Sequence, residues 1–123
     1  MASGKSVRPH YNLAAWKEAM ALVKVVYEFT SHLPASERYG LTSQMRRAAI
    51  SIPSNIAEGA ARTSSKEFAQ FLNIAKGSLS ELETQILITR DLGYMQDIEC
   101  ILNQTSQVSR LLAGLHKSVR PTT

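Results

Sequence analysis

A single cysteine, Cys100, stands among 123 residues. That excludes an internal disulfide and any cysteine-based zinc cluster. No apolar run approaches the roughly 20 residues of a membrane span. No segment alternates with period two over a useful length, so no sheet is expected. Aromatic residues make up 7% of the chain. Most fall on apolar stripes, Trp16 and Phe68 among them, leaving Tyr11, Tyr39 and Tyr94 less committed. Stacking on bases needs exposed rings, so sequence-specific base reading is not supported. The opening stretch MASGKSVRPHYNL has no apolar core of the kind a secretory signal needs. With a lone thiol that suits a reducing compartment, the expectation is a cytoplasmic protein of one domain.

The parts of an active site are missing too. Gly4-Lys5-Ser6 resembles the end of a phosphate-binding loop, but it lacks the upstream glycine and a preceding strand. His10, His32 and His116 lie on separate segments without metal-ligand spacing. Cys100 has no partner to activate it and reads as a partly buried, inert thiol. Glu81 and Glu83 are two apart on a helix and point to different sides. Nothing assembles a nucleophile, a base and an anion pocket, so the chain reads as a non-enzyme with no cofactor and no metal.

What the chain does contain is helical periodicity. Asn12 is placed to cap a first helix that carries two adjacent stripes. One is Leu13, Trp16, Met20, Val23, Tyr27 and Thr30; the other is Ala19, Leu22, Val26, Phe29 and Leu33. Together they cover an arc of roughly 200°, where a helix facing one core needs about 100°. A second buried face, against another subunit, is therefore expected. Pro34 ends this helix. The second opens near Leu41 with the stripe Leu41, Met45, Ala48, Ala49, Ile52 and Ile56. Ser64 to Glu67 form a capping box ahead of a long third helix, with Phe68, Leu72, Ala75, Leu79, Leu82, Ile86 and Thr89 inward. Ala75, Gly77 and Ser78 make a small-residue patch suited to close helix approach. Gly93 stops that helix. Asp97 caps a fourth, with Ile98, Ile101, Thr105, Val108, Leu112, Leu115 and Val119 on its stripe. Short connections between long helices favour an antiparallel up-down-up-down four-helix bundle over residues 12–120. Residues 1–11 read as a flexible basic tail, and 121–123 as a second tail.

Within helix two, SIPSNIAEG spans residues 51 to 59 and puts Pro53 mid-helix, which frees the Ala49 carbonyl. Three readings stand. The helix is kinked, with its polar flank of Arg47, Ser51, Ser54 and Glu58 capped or paired with a neighbouring helix; or the segment binds a ligand or nucleic acid; or the helix breaks and Asn55 caps a new piece ahead of Glu58.

The strings YGLTSQMRRAAISIPSNIAEG, EFAQFLNIAKGSLSELETQ and LGY closely resemble one family. Its members are small four-helix-bundle proteins encoded by intervening sequences inside bacterial 23S ribosomal RNA genes, also labelled S23-like. They are similar to the accessory variability protein of diversity-generating retroelements. The likeness runs from about Leu13 to Leu115. It implies a bundle assembling as a ring-like homopentamer, without known catalytic activity or cofactor. For the retroelement relative it implies binding of RNA or DNA, and of a reverse transcriptase, through a basic surface. The signature residues Ser51, Pro53, Ser54, Asn55, Glu58 and Gly59 are then structural. This chain has Ala61 where the family often has a second glycine.

Fourteen Lys and Arg against ten Asp and Glu give a formal charge of +4, which is compatible with a polyanionic partner. In an up-down-up-down bundle one pole collects Lys5, Arg8, Lys17, Arg62, Lys66, Lys117 and Arg120 against Glu18, Glu58 and Glu67. The other pole has Arg38 and Arg90 against Glu37, Asp91, Asp97 and Glu99. Arg46 and Arg47 in helix two are further candidates for phosphate contact. The sequence therefore supports an oligomeric binding module whose basic pole engages the RNA or DNA backbone. The alternative is a structural or protein-interaction scaffold with no nucleic-acid role.

Overall fold

The computed structural model describes residues 8–119. Four α-helices follow one another: α1 (Ala14–Thr30), α2 (Leu41–Ala60), α3 (Ser65–Asp91) and α4 (Glu99–Val119). They form an antiparallel bundle in which each helix packs on its sequence neighbour and α4 returns to α1. The diagonal pairs make no close backbone approach among the described residues. The core is a single cluster built from the expected stripes: Ala19, Leu22, Val26 and Phe29 from α1, Met45, Ile52 and Ile56 from α2, Leu72, Leu79, Leu82 and Ile86 from α3, and Ile101, Val108 and Leu112 from α4. Burying each large aliphatic side chain contributes about 1.5–3 kcal/mol, and these residues recur on one face of each helix, so helix phase and bundle geometry agree.

The helix ends show the local chemistry. Ser64 Oγ accepts from the Glu67 amide at 3.1 Å, which is the forward half of the expected capping box; no returning bond from the Glu67 side chain is present. The Asp97 carboxylate accepts from the Glu99 amide at 3.2 Å. Gly93 adopts φ +82°, and the amides of Gly93 and Tyr94 reach back to the carbonyls of Arg90 and Thr89. That pattern satisfies two end carbonyls of α3 and requires a left-handed residue.

Several expectations are corrected. Asn12 does not cap α1; Leu13 occupies the cap position and makes no side-chain bond. Part of the assigned tail is structured, because Pro9–Asn12 is a 3-10 turn that packs on α1 and α2. Proline presets the first-turn φ of that turn, and His10 and Tyr11 hold it against Trp16. Gly77 faces open space, so only Ala75 and Ser78 of the small patch meet a neighbour. Cys100 is exposed, since it lies between the core residues Ile98 and Ile101 and points away from both.

Pro53 leaves α2 unbroken. Side chains brace the backbone around the missing bond: Ser54 Oγ donates to the Ile50 carbonyl at 2.8 Å, and Asn55 Nδ2 donates to the Ser51 carbonyl at 2.8 Å. Asn55 therefore reaches back rather than capping forward, and the break is excluded. Asn55 also donates to Ser51 Oγ at 2.9 Å, and Ser51 Oγ lies 2.8 Å from Ser78 Oγ on α3. At the end of α2, Gly59 lies beneath Phe68 and Phe71. A Cβ there would sit 2.8 Å from Phe71 Cβ and 3.3 Å from the Phe68 carbonyl oxygen. Ala61 has φ −81° and ψ −10°, a right-handed conformation that needs no glycine.

Two further stitches fix the other end. Arg46 Nε donates to Thr30 Oγ1 at 2.9 Å and its Nη2 to the Tyr27 carbonyl at 3.3 Å, with the guanidinium 4.3 Å from the Tyr27 ring centre. Glu37 accepts from the Leu41 amide at 3.0 Å and from the Tyr94 hydroxyl at 2.9 Å. These bonds, the amide first, hold the Glu37 carboxyl below its ordinary 4.5. The bond to Glu37, with burial and the carboxylate charge, pushes Tyr94 above its ordinary 10.0.

Gly59→Ala is expected to destabilise the protein by about 1–3 kcal/mol, the usual cost of overpacking, as read by urea denaturation; an unchanged midpoint would show that α2 and α3 separate freely there. The Glu37 contribution is present above its ordinary pKa and is lost as pH falls through the lowered one. Stability measured across a pH series should show an acid step near and below 4.5 that Glu37→Gln lacks; superimposable profiles would contradict this. The Tyr94 contribution, of opposite sign, is full below 10.0 and lost as pH rises through the raised value.

Candidate nucleic-acid interface

The bundle topology brings the start of α1, the α2–α3 turn and the end of α4 to one pole. Arg8 precedes the 3-10 turn, Lys17 lies on the first turn of α1, Lys66 on the first turn of α3 and Lys117 on the last turn of α4; all four are exposed. None makes an ion pair among the described residues. Arg62 joins them from the α2–α3 turn but is engaged: it pairs with Glu58 at 3.3 Å and lies 4.9 Å from the Phe71 ring centre. Lys5 and Arg120 lie outside the described residues, as does Gly4-Lys5-Ser6.

The opposite pole is organised differently. Arg90 pairs with Asp91 at 3.3 Å, Arg38 lies over Tyr39 at 5.5 Å, and Glu37 and Asp97 are bound to backbone amides. Arg90 with Asp91 is its one arginine–carboxylate pair among the described residues, and Glu37, Asp97 and Arg38 are held by neutral donors or a ring. The cations of the first pole are largely open to solvent.

The structure does not bring Arg46 and Arg47 to the basic pole. They precede the end of α2 by 14 and 13 residues, about 20 Å along the axis at 1.5 Å per residue. Arg46 is occupied by α1. Arg47 is exposed and borders a recess between α2 and α3 with Gln44, Ser51, Ser78 and Glu81. Beside it, Gln85 is buried and donates to Glu81 at 3.2 Å, while its own Oε1 has no partner among the described residues. Among the signature residues, Ser51 and Gly59 meet α3, Ser54 and Asn55 bond within their own helix, Glu58 pairs with Arg62, and Pro53 lines a groove toward α1.

That groove is the feature of α1 anticipated from its wide apolar arc. The stripe of Ala19, Leu22, Val26 and Phe29 enters the core, whereas Trp16 and Val23 pack against its edge half-buried and Met20 and Tyr27 are exposed. Trp16, Met20 and Val23 meet Ile50, Pro53 and Ala57 of α2 across a shallow groove of about 340 Å³. Met20, Ile50 and Tyr27 stay 44%, 43% and 39% exposed. Trp16 is thus shared between the edge of the core and the groove. Near the basic pole its ring packs edge-on to His10 at 4.9 Å, with Tyr11 tilted at 5.5 Å.

Lys24, Lys76 and Arg110 were absent from the residues singled out in the sequence. Lys76 and Arg110 border one recess between α3 and α4. The sequence does hold a signal: neither has a carboxylate three or four residues away on its own helix, so neither is neutralised by the pairing that Arg62 finds in Glu58. Their convergence required the packing of α3 on α4. Among the described residues no group of three His, Cys, Asp or Glu side chains is placed to hold a metal ion, and no helix is long and apolar enough to cross a membrane.

Comparison with known proteins agrees with this architecture. The chain is similar to a crystal structure, at 1.70 Å resolution, of a protein of unknown function from the S23 ribosomal protein family of Bacteroides thetaiotaomicron. That likeness has a TM-score of 0.77 and 22% identity, and covers 84% of this chain and 95% of the other. No curated protein matches. Residues 11–114 match the model of the 23S rRNA-intervening sequence proteins, covering the first three helices and most of the fourth, and the chain belongs to that family.

Proposed function

We propose that this protein is a non-enzymatic, self-associating bundle that holds the phosphate backbone of RNA or DNA at its basic pole. The observation that carries the reading is the set of cations Arg8, Lys17, Lys66 and Lys117, which make no ion pair among the described residues and lie at one end of the bundle, where the other end holds Arg90 in an ion pair and carries more carboxylates than cations. Lys and Arg contacts to phosphates release counterions and give salt-sensitive, weakly sequence-selective binding. Subunits arranged in parallel, as in the homopentamer implied by the family resemblance, would gather these cations on one face. A reverse transcriptase partner belongs to this reading if the protein serves a retroelement.

The apolar α1–α2 groove favours self-association as the way the subunits are held. Met20 and Ile50 stand partly exposed on it with Tyr27 close by on α1, and neighbouring exposed apolar side chains are what a partner surface covers. The same groove also supports the second reading, a scaffold whose charge only maintains solubility.

RNA binding by the purified protein should weaken steeply between 50 and 200 mM salt, and Lys17→Glu with Lys66→Glu and Lys117→Glu should abolish it. Affinity indifferent to salt, or to the charge reversals, would leave the scaffold. Ile50→Lys with Met20→Lys should convert an oligomer to a monomer in sedimentation without unfolding it, because both side chains are already partly exposed; a wild-type monomer would refute assembly through this groove.

A further inference from the structure

The α3–α4 side of the bundle carries charge that neither the family match nor the pole explains. A recess of about 350 Å³ runs between these helices. Lys76 and Ser80 line it from α3, and Ser106, Ser109 and Arg110 from α4. Neither cation makes an ion pair or side-chain hydrogen bond among the described residues. The three serine hydroxyls likewise make no hydrogen bond there. Thr105, on the floor, differs: its hydroxyl is spent on the Leu102 carbonyl at 2.7 Å.

We infer that this recess is a seat for a phosphate group. The chemistry is complementary in kind. A guanidinium and an ammonium supply charge and up to eight N–H donors between them, and hydroxyls that rotate freely supply donors to the remaining oxygens. The one carboxylate on the recess, Glu83, lies seven residues beyond Lys76, about 10 Å along α3. The cations are at the end nearer the basic pole, because Arg110 also borders the first turn of α1 at Leu13, Ala14 and Ala15. Positive charge therefore continues from the pole down this flank. A backbone phosphate of the strand held at the pole is the source the placement favours, and to that extent the inference rests on the proposed function. A free phosphate would meet the same groups.

The test uses the full chain and two probes, inorganic phosphate and a 20-nucleotide oligouridylate. Phosphate should move the backbone amide resonances of Ser80, Ser106 and Ser109, and Lys76→Ala with Arg110→Ala should erase those shifts. Both side chains are exposed, and an unchanged urea midpoint confirms folding. Glu83→Gln should tighten phosphate binding. With the oligonucleotide, the double variant should flatten the slope of log affinity against log salt by about 1.4, two contacts at about 0.7 each on a single strand. The charge-matched control Lys24→Ala with Arg38→Ala should not. Shifts with phosphate and an unaltered oligonucleotide slope would assign the seat to free phosphate. Phosphate shifts in a protein that binds no oligonucleotide would uphold the seat and refute the pole. An oligonucleotide bound with silent recess resonances, or equal losses in the control, would overturn the seat and leave the pole standing.

Discussion

Close contact between α2 and α3 is the constraint from which the remaining geometry follows. Gly59 lets the end of α2 lie under Phe68 and Phe71, where any side chain would collide. Two turns earlier, Ser51 meets Ser78 across the same seam, with Asn55 bonded to Ser51. Between these points Ile52 and Ile56 are fully buried. A hydroxyl pair at one point and a bare backbone at the other fix both separation and register, which apolar packing alone specifies less sharply. Pro53 is compatible with this seam because it faces the other way, into the α1–α2 groove.

The other helices are then placed against a fixed pair. Arg46 holds the end of α1 to α2 by satisfying a buried threonine and an end carbonyl. Glu37 ties the start of α2 to the α3–α4 corner through Tyr94. Both stitches lie toward the pole that holds the Arg90–Asp91 pair. The opposite pole has the aromatic contact of His10 and Tyr11 with Trp16, and among the described residues most of its cations make no ion pair. Rigidity and open charge are thus separated along the bundle axis.

They are separated around the axis as well. With the helices in cyclic order, the apolar α1–α2 groove and the cationic α3–α4 recess occupy opposite sides. Assembly through the first would leave the second accessible. That arrangement suits a protein that associates by burying apolar surface on one side and meets a polyanion on another.

The sequence alone determined the helices, their inward stripes and the topology, because a 3.6-residue repeat, strong stop signals and short connections each constrain the chain locally. The excess apolar arc of α1 was legible for the same reason, although its Trp16 stripe was assigned to the core in part. Charge partners were not legible. Arg46 looked equivalent to its neighbour Arg47, yet its guanidinium is used by α1; Lys76 and Arg110, 34 residues apart, meet on one recess only once α4 lies on α3. The roles within SIPSNIAEG were undecided for the same reason, since Ser51 finds its partner 27 residues away. Periodicity reports which face of a helix turns inward, and tertiary structure alone decides what each outward side chain finds there, because hydrogen bonds and ion pairs act over a few ångströms between residues that the sequence holds far apart.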